Sequence, residues 1–415
     1  MALMSVAEAL RQVLEHAAPL SLETVPLADA YGRVLATDLS AQRTQPPADV
    51  SAMDGYAVRA ADVKSVPARL RLIGEVAAGH PFAGTVSAGE AARIFTGGVV
   101  PPGADTIVIQ ENTTRENTTR ENTTRDGDVV VINQPSGAGR HIRRAGLDFA
   151  SGAVLLAKGR RLSDRDLALA AAMNHASLTV YRKPKLAVLA TGDELVLPGA
   201  RPGIGEIVYS NGYATMALAR REGCETIDLG IAPDRLEETA AAVRRARDLG
   251  ADILVTSGGA SVGDYDLVQK ALAKEGLALS FWKVALRPGR PMMHGRLGAM
   301  HVLGLPGNPV SAYVCAVLFL VPLIRRLCGR ADAEPAPEAA LLGCDLPPND
   351  ERADYLRATL APGREGIPVA APTPLQDSSM LTPLARADCL LIRAPHAPAA
   401  KAGSRCSILR LDPWA

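Results

Sequence analysis

Three loops of this chain carry the residue types that phosphate chemistry requires. "TGDEL" places Asp193 and Glu194 directly after an apolar run. "TSGGASVGDYD" follows a second such run: Gly258, Gly259 and Gly263 let backbone N–H groups approach an oxyanion, Ser257 and Ser261 add hydroxyl donors, and Asp264 and Asp266 stand just behind. "LPGNPVS" reads as a helix start, with Asn308 as cap and Pro309 as the first helical residue, and its free N–H groups suit an anion. Glycines beside carboxylates suggest phosphate plus magnesium. Mg2+ takes a few carboxylate oxygens together with water and substrate phosphates, and no His or Cys ligand set competes for that role. A fourth stretch, "KVALRPGRP", gathers Lys283, Arg287 and Arg290 around a Pro-Gly turn where cations can hold an oxyanion. In the N-terminal half, "VSAMDGYAVR" sets Asp54 beside Gly55. Taken singly, each motif is weak, because Gly-rich strand-to-helix turns occur in many α/β proteins and "RPGR" also suits an exposed turn. Asp234, three residues before Glu237, reads as a helix cap, and His294 and His301 read as structural rather than as metal ligands.

The elements that must position these residues follow from periodicity. Between residues 184 and 330 short apolar runs alternate with helical patterns, the sign of a parallel sheet covered by helices on both faces. "KLAVLATGDEL" is a strand running into a turn; "SNGYATMALARREG" offers Ser210 as a cap and Gly223 as a stop; "PDRLEETAAAVRRARDLG" repeats that grammar and ends at Gly250. Residues 1–45 and 140–183 look mainly helical, with Ser163 and Asp166 opening "DRDLALAAAMNHAS" as a capping box. Between them, at 46–139, short β-like runs form an inserted β module, and after a Pro- and Ala-rich linker residues 331–415 form a small β domain. "ENTTR", written three times from Glu111 to Arg125, falls on the connection of an expected hairpin between "TIVIQ" and "VVVIN" and reads as a passive surface loop.

Bulk properties bound the function. A chain of 415 residues exceeds one ordinary core, so several domains are expected. Aromatics at 4% leave few rings for base stacking, and a net charge of +1 offers no global field for a polyanion, so no nucleic-acid partner is expected. The six cysteines include no C-x-x-C pair and read as reduced, mostly buried thiols. The N-terminus is an amphipathic helical pattern without an uninterrupted apolar signal region, so a cytoplasmic location is expected. "AYVCAVLFLVPLI" is too short to span a bilayer and reads as a buried helix, so no membrane partner is expected.

Taken together, "SAMDGYAVR", "IFTGGVVPPGADTIVIQEN", "ATGDEL", "SNGYAT", "TSGGASVGDYD", "RPGRP" and "GLPGNPVSA" occur in one order along the chain. In that order they resemble the MoeA family of molybdopterin molybdenumtransferases, which includes the E domain of gephyrin. The resemblance implies an α/β plus β multi-domain fold: a discontinuous helical linker domain (1–45 and 140–183), an inserted β domain (46–139), a molybdopterin-binding α/β domain (184–330) and a C-terminal β-barrel (331–415). It also implies a homodimer. The implied reaction is molybdenum insertion into adenylylated molybdopterin, with Mg2+-dependent phosphoanhydride cleavage, molybdate as co-substrate and AMP released. The pterin adenylyltransferase and molybdoenzyme acceptors are implied as further partners. Carried over by motif, Asp54, Thr96, Glu194 and Asp266 are expected to serve catalysis, and Asp54, Glu194, Asp264 and Asp266 to hold metal. Substrate contacts are expected from Ser257, Gly258, Gly259, Ser261, Gly263, Lys283, Arg287, Arg290, Pro306, Pro309, Asp148 and Asp234. The last domain adds Arg357 of "DYLRATL" with Ser378 and Ser379 of "QDSSM". The alternatives left open are an adenylyltransferase acting on molybdopterin and a non-enzymatic scaffold.

Overall fold

A computed structural model describes residues 3–116, 129–258, 267–334 and 336–411. The α/β domain is a six-stranded sheet in the spatial order Glu225–Ala232, Lys185–Thr191, Ile253–Ser257, Met300–Leu305, Met293–Leu297, Ala278–Trp282. The first four strands are parallel and the last two antiparallel, so Thr191, Ser257 and Leu305 finish at one edge, in registers Ala190 to Ser257 and Ser257 to Leu305. Strands buried on both faces need apolar residues throughout, which is why "ILVTS" and "MHVLGL" are buried along their whole length.

The helices start largely where their caps require. Ser163 and Asp166 form the reciprocal capping box before Asp164–Ala172. Ser5 accepts from the Glu8 N–H at 3.1 Å and opens Val6–Glu15. Asn211–Arg221 is followed by Gly223 in the left-handed region. Other expected caps differ: Ser210 and Asn308 hold the N-cap positions of their helices without a side-chain capping bond, and the helix Leu236–Asp248 takes Arg235 as its N-cap, with Asp234 outside it. The helix from Pro309 to Leu327 is long and apolar enough to cross a bilayer, but it lies in the core. It contains a π-helical stretch at Ala316–Leu320, just ahead of Pro322, whose ring has no N–H to give to the preceding turn. His294 and His301 stack in this interior, Nε2 and Nδ1 3.4 Å apart; burial pushes them down to about 3 and about 4 respectively, so both are neutral at pH 7. All six cysteines are free thiols, and Cys224, Cys315, Cys328 and Cys389 are buried.

The segments 3–45 and 140–183 hold the helices Val6–Glu15 and Asp164–Ala172 together with two antiparallel pairings that local periodicity did not announce: Leu22–Pro26 with Ser177–Tyr181, and Leu39–Ser40 with Val154–Leu156. The inserted domain is a six-stranded sheet ordered Thr106–Ile109, Gly55–Val58, Glu90–Ile94, Ala68–Val76, Val129–Ile132, Thr113–Glu116. Here the expected hairpin is corrected. "TIVI" and "VVVI" lie in different parts of the sheet, and the first ENTTR unit itself supplies the edge strand that pairs with Val129–Ile132, in register Thr113 to Ile132 and Glu116 to Val129. Residues 117–128, with the rest of the repeat, lie outside the described residues. In the C-terminal domain the strands Ala353–Ala361, Val369–Pro372, Glu338–Leu342, Arg405–Arg410 and Cys389–Arg393 close into a barrel through the pairing of the first with the last.

Candidate functional site

The carboxyl edge of the parallel strands carries the first group of expected residues, and close backbone approach explains its glycines. Gly258 has φ 98°, and a Cβ there would stand 2.4 Å from the Thr191 carbonyl oxygen. A Cβ on Gly307 would lie 3.9 Å from the Gly258 Cα, so the loops after Ile253–Ser257 and Met300–Leu305 nearly touch. Asn211, at the start of its helix, donates from Nδ2 to the Gly307 carbonyl at 2.8 Å and ties a third loop to the same spot. Ser257 is buried at the strand end, and the hydroxyls of Thr191 and Thr256 are buried without a protein partner. Buried hydroxyls without a protein partner are uncommon; that of Thr191 lies 3.1 Å from where a Cβ on Gly258 would stand.

Carboxylates gather on the same edge. The Asp234 N–H donates to Asp193 Oδ1 at 3.1 Å, and burial together with the charges of Asp193 and Glu194 raises the Asp234 pKa. Outside the helix that it was expected to cap, Asp234 stands beside Asp193 and Glu194. Among the described residues no three His, Cys, Asp or Glu side chains converge as a ready ligand cage. Gly259, Ser261, Gly263, Asp264 and Asp266 lie outside the described residues.

The basic loop divides its three cations among different tasks. Lys283 adopts φ 75°, rare for a residue with a Cβ, and its ammonium rests 4.0 Å from the centre of the Trp282 ring. Arg287 is committed elsewhere: its guanidinium forms a two-point bond with Asp354, donates to Asp350 at 2.9 Å and donates to Asn349 at 2.9 Å. Arg290 is exposed. Pro306 and Pro309 flank Gly307 and Asn308, and Asn308 sends its side chain to Ser378 Oγ at 2.8 Å instead of capping its own helix.

That bond brings in the C-terminal domain. The Val310 N–H donates to the Ser378 carbonyl at 3.0 Å, and Ser379 donates from its hydroxyl to Asp377 at 2.6 Å. Arg357 is only 1% exposed; its donors go to Gln376 Oε1 and to the carbonyls of Asp377, Met380 and Leu375. It thus shapes the loop that carries the two serines.

In the inserted domain Asp54 Oδ1 accepts from Thr96 twice, from N–H at 2.7 Å and from Oγ1 at 2.8 Å, which holds this exposed carboxylate below its usual range. Gly55 beside it has no alternative, since a Cβ would stand 2.1 Å from the Val108 carbonyl oxygen. The bonds of Asp54 and Thr96 stay within their own domain. Asp148 is exposed on the turn after Arg144, anchored by its N–H to the Gln45 carbonyl at 3.0 Å. Sequence reasoning did not single out Arg93, Asn211 or Gln376; Arg93 and Gln376 are marked only by contacts between distant segments.

Three family models match the chain: the MoeA N-terminal region (domain I and II) over residues 4–174, a probable molybdopterin-binding domain over 187–326, and the MoeA C-terminal region (domain IV) over 339–411. The molybdopterin molybdenumtransferase of Haemophilus influenzae is 33% identical over 391 residues, covering 94% of each chain. That of Bacillus subtilis is 34% identical over 391 residues, covering 93% of this chain and 89% of its own. The crystal structure of the molybdopterin biosynthesis MoeA protein from Pyrococcus horikoshii superposes with TM-score 0.81 at 29% identity and covers 100% of both chains.

Proposed function

The chain belongs to the MoeA family and is an enzyme of molybdenum cofactor biosynthesis that transfers molybdenum to molybdopterin; from that premise we propose that it acts on adenylylated molybdopterin, cleaving the phosphoanhydride with Mg2+ and releasing AMP as molybdenum is inserted. The observation that carries this reading is the pairing, on one sheet edge, of a glycine-framed anion cradle with a cluster of carboxylates. A phosphoanhydride carries several negative charges, so its cleavage depends on fixed donors and a metal more than on a strong protein nucleophile.

Asp193, Glu194 and Asp234 carry carboxylate oxygens of the kind Mg2+ takes. Burial, with the charges of Asp193 and Glu194, raises Asp234, and a bound dication would favour its ionised form. When bound, Mg2+ supplies charge neutralisation at the bridging phosphates. Around it the chain's own groups would act: the Gly258 and Gly307 backbone and the neighbouring Thr191 hydroxyl frame the cradle, and Lys283 and Arg290 supply positive charge for molybdate or phosphate. Arg287 and Arg357 work indirectly, by fixing the basic loop and the Ser378–Ser379 loop. Asp54, deprotonated at pH 7, is suited to orient water or metal.

We also propose that the working unit is a homodimer in which the inserted domain of one protomer faces the α/β edge of its partner. Two features support it: the Asp54–Thr96 pair bonds only within its own domain, and apolar side chains flank the acidic edge, with Leu197 56%, Ile204 110%, Ile207 57% and Tyr213 50% exposed. The deciding experiment measures AMP release from adenylylated molybdopterin with Mg2+, with and without molybdate. Molybdate-dependent release is expected; synthesis of the adenylylated pterin from ATP and molybdopterin, without such release, would overturn the proposal in favour of an adenylyltransferase.

A further inference from the structure

The Asp54–Thr96 pair stands at the end of two strands that a third side chain holds in place. Gly55–Val58 and Glu90–Ile94 are antiparallel, with Tyr56 opposite Arg93, and Gly55–Val58 also pairs with Thr106–Ile109. Arg93 Nη1 donates to the Gly55 carbonyl at 3.0 Å, and Nη2 donates to Gln110 Oε1 at 2.7 Å. Gln110 in turn donates its backbone N–H to the Asp54 carbonyl at 3.1 Å. The guanidinium carbon lies 5.2 Å from the centre of the Tyr56 ring and 4.8 Å from that of Phe95, the residue before Thr96. One planar cation therefore touches the residue after Asp54, the residue before Thr96, and the glutamine that fixes the Asp54 carbonyl. A lysine could supply the charge, but not two divergent donors on a plane that lies against two rings.

We propose that Arg93 is a positioning residue of the molybdenum-transfer site: it fixes the Asp54–Thr96 pair in space. The inference rests on the reading above that Asp54 serves the reaction. Geometry alone makes the effect on turnover large, because a reacting group displaced by about 1 Å loses on the order of a hundredfold in rate.

The test is steady-state molybdate-dependent AMP release by the full-length protein, with kcat and KM determined separately, for wild type, Arg93→Met, Arg93→Lys and Asp54→Asn. Arg93→Met is expected to lower kcat by roughly ten- to a hundredfold with KM within about twofold. Arg93→Lys is expected to recover only part of kcat, because an ammonium keeps the charge without the two divergent donors. If Arg93→Met is not folded by circular dichroism, Arg93→Gln, which keeps a donor without the charge, takes its place with the same expectations. An inactive Asp54→Asn beside an Arg93→Met of normal kcat sinks the role of Arg93 alone. Full turnover by Asp54→Asn removes Asp54 from the reaction, and the role of Arg93 with it.

Discussion

Asp234 sits where its own negative charge is disfavoured. It is partly desolvated, it faces Asp193 and Glu194, and its raised pKa records the cost of ionising there. A carboxylate kept under such conditions suits a cation, and the helix that it would have capped starts from Arg235 instead. Asp234→Asn is therefore expected to leave the melting temperature unchanged or slightly higher, since a repulsion is removed. It should raise the Mg2+ concentration for half-maximal AMP release by roughly tenfold, equivalent to about 1.4 kcal/mol of lost metal affinity. A magnesium titration of the variant checks this, and an unchanged half-point would take Asp234 out of the metal site. Arg357 illustrates the opposite case. It is buried, and its guanidinium donates to four protein acceptors on the loop that carries Ser378 and Ser379.

At the scale of elements, the repeat offers a clean test because the register of its first unit is defined. Deleting Glu111 to Arg120 would bring Glu121–Arg125 into the place of Glu111–Arg115 and Asp126 into that of Glu116, opposite Val129. Gly127 and Asp128 would then form a two-residue connection with glycine first, a sequence suited to a tight hairpin turn. The shortened protein should keep its activity within about twofold and gain on the order of 1 kcal/mol from the smaller loop. Steady-state AMP release and thermal unfolding check both. A large loss of activity would mean that the extra units reach the site, which Gln110, directly before them, touches through Asp54. The same region marks the limit of reading from sequence. Strand-to-glycine transitions after Thr191 and Ser257, the Ser163 capping box and the buried apolar helix were all legible, because each is fixed by residues close in the chain. The partner of Val129–Ile132, the cage around Arg357 and the Arg93 contacts were not, because each depends on segments that meet only after folding. The Asp234 cap was misread for a narrower reason: its spacing to Glu237 satisfied a local rule that tertiary placement overrode.

At the scale of the whole molecule, a site shared between protomers makes a quantitative demand. If Asp54 of one chain works with Glu194 of its partner, Asp54→Ala and Glu194→Ala proteins are each inactive, but a mixed dimer holds one site with both carboxylates intact. Random reassortment makes half the dimers mixed, so activity should return to about a quarter of wild type. Mixing the two variants after dissociation and reassociation, then measuring AMP release, decides it. No recovery in a sample proven to contain mixed dimers would place both residues in one chain's site or separate their roles.

Leu286–Arg287 belongs by chain order to the α/β domain and by hydrogen bonding to the barrel, where it pairs in parallel with Ala353 and Asp354. Asn308 with Ser378, and Arg221 with the Leu411 carbonyl at 2.8 Å, add further stitches between the same two bodies. Hinge motion between them would have to break a strand pairing and an ion-paired fork together, which ties the two into one body. Any opening for a bulky substrate would then fall to the inserted domain, which joins the rest at the two crossings near Gln45 and Asp148. Asp54, Thr96 and Arg93 would be the part of the proposed chemistry that travels.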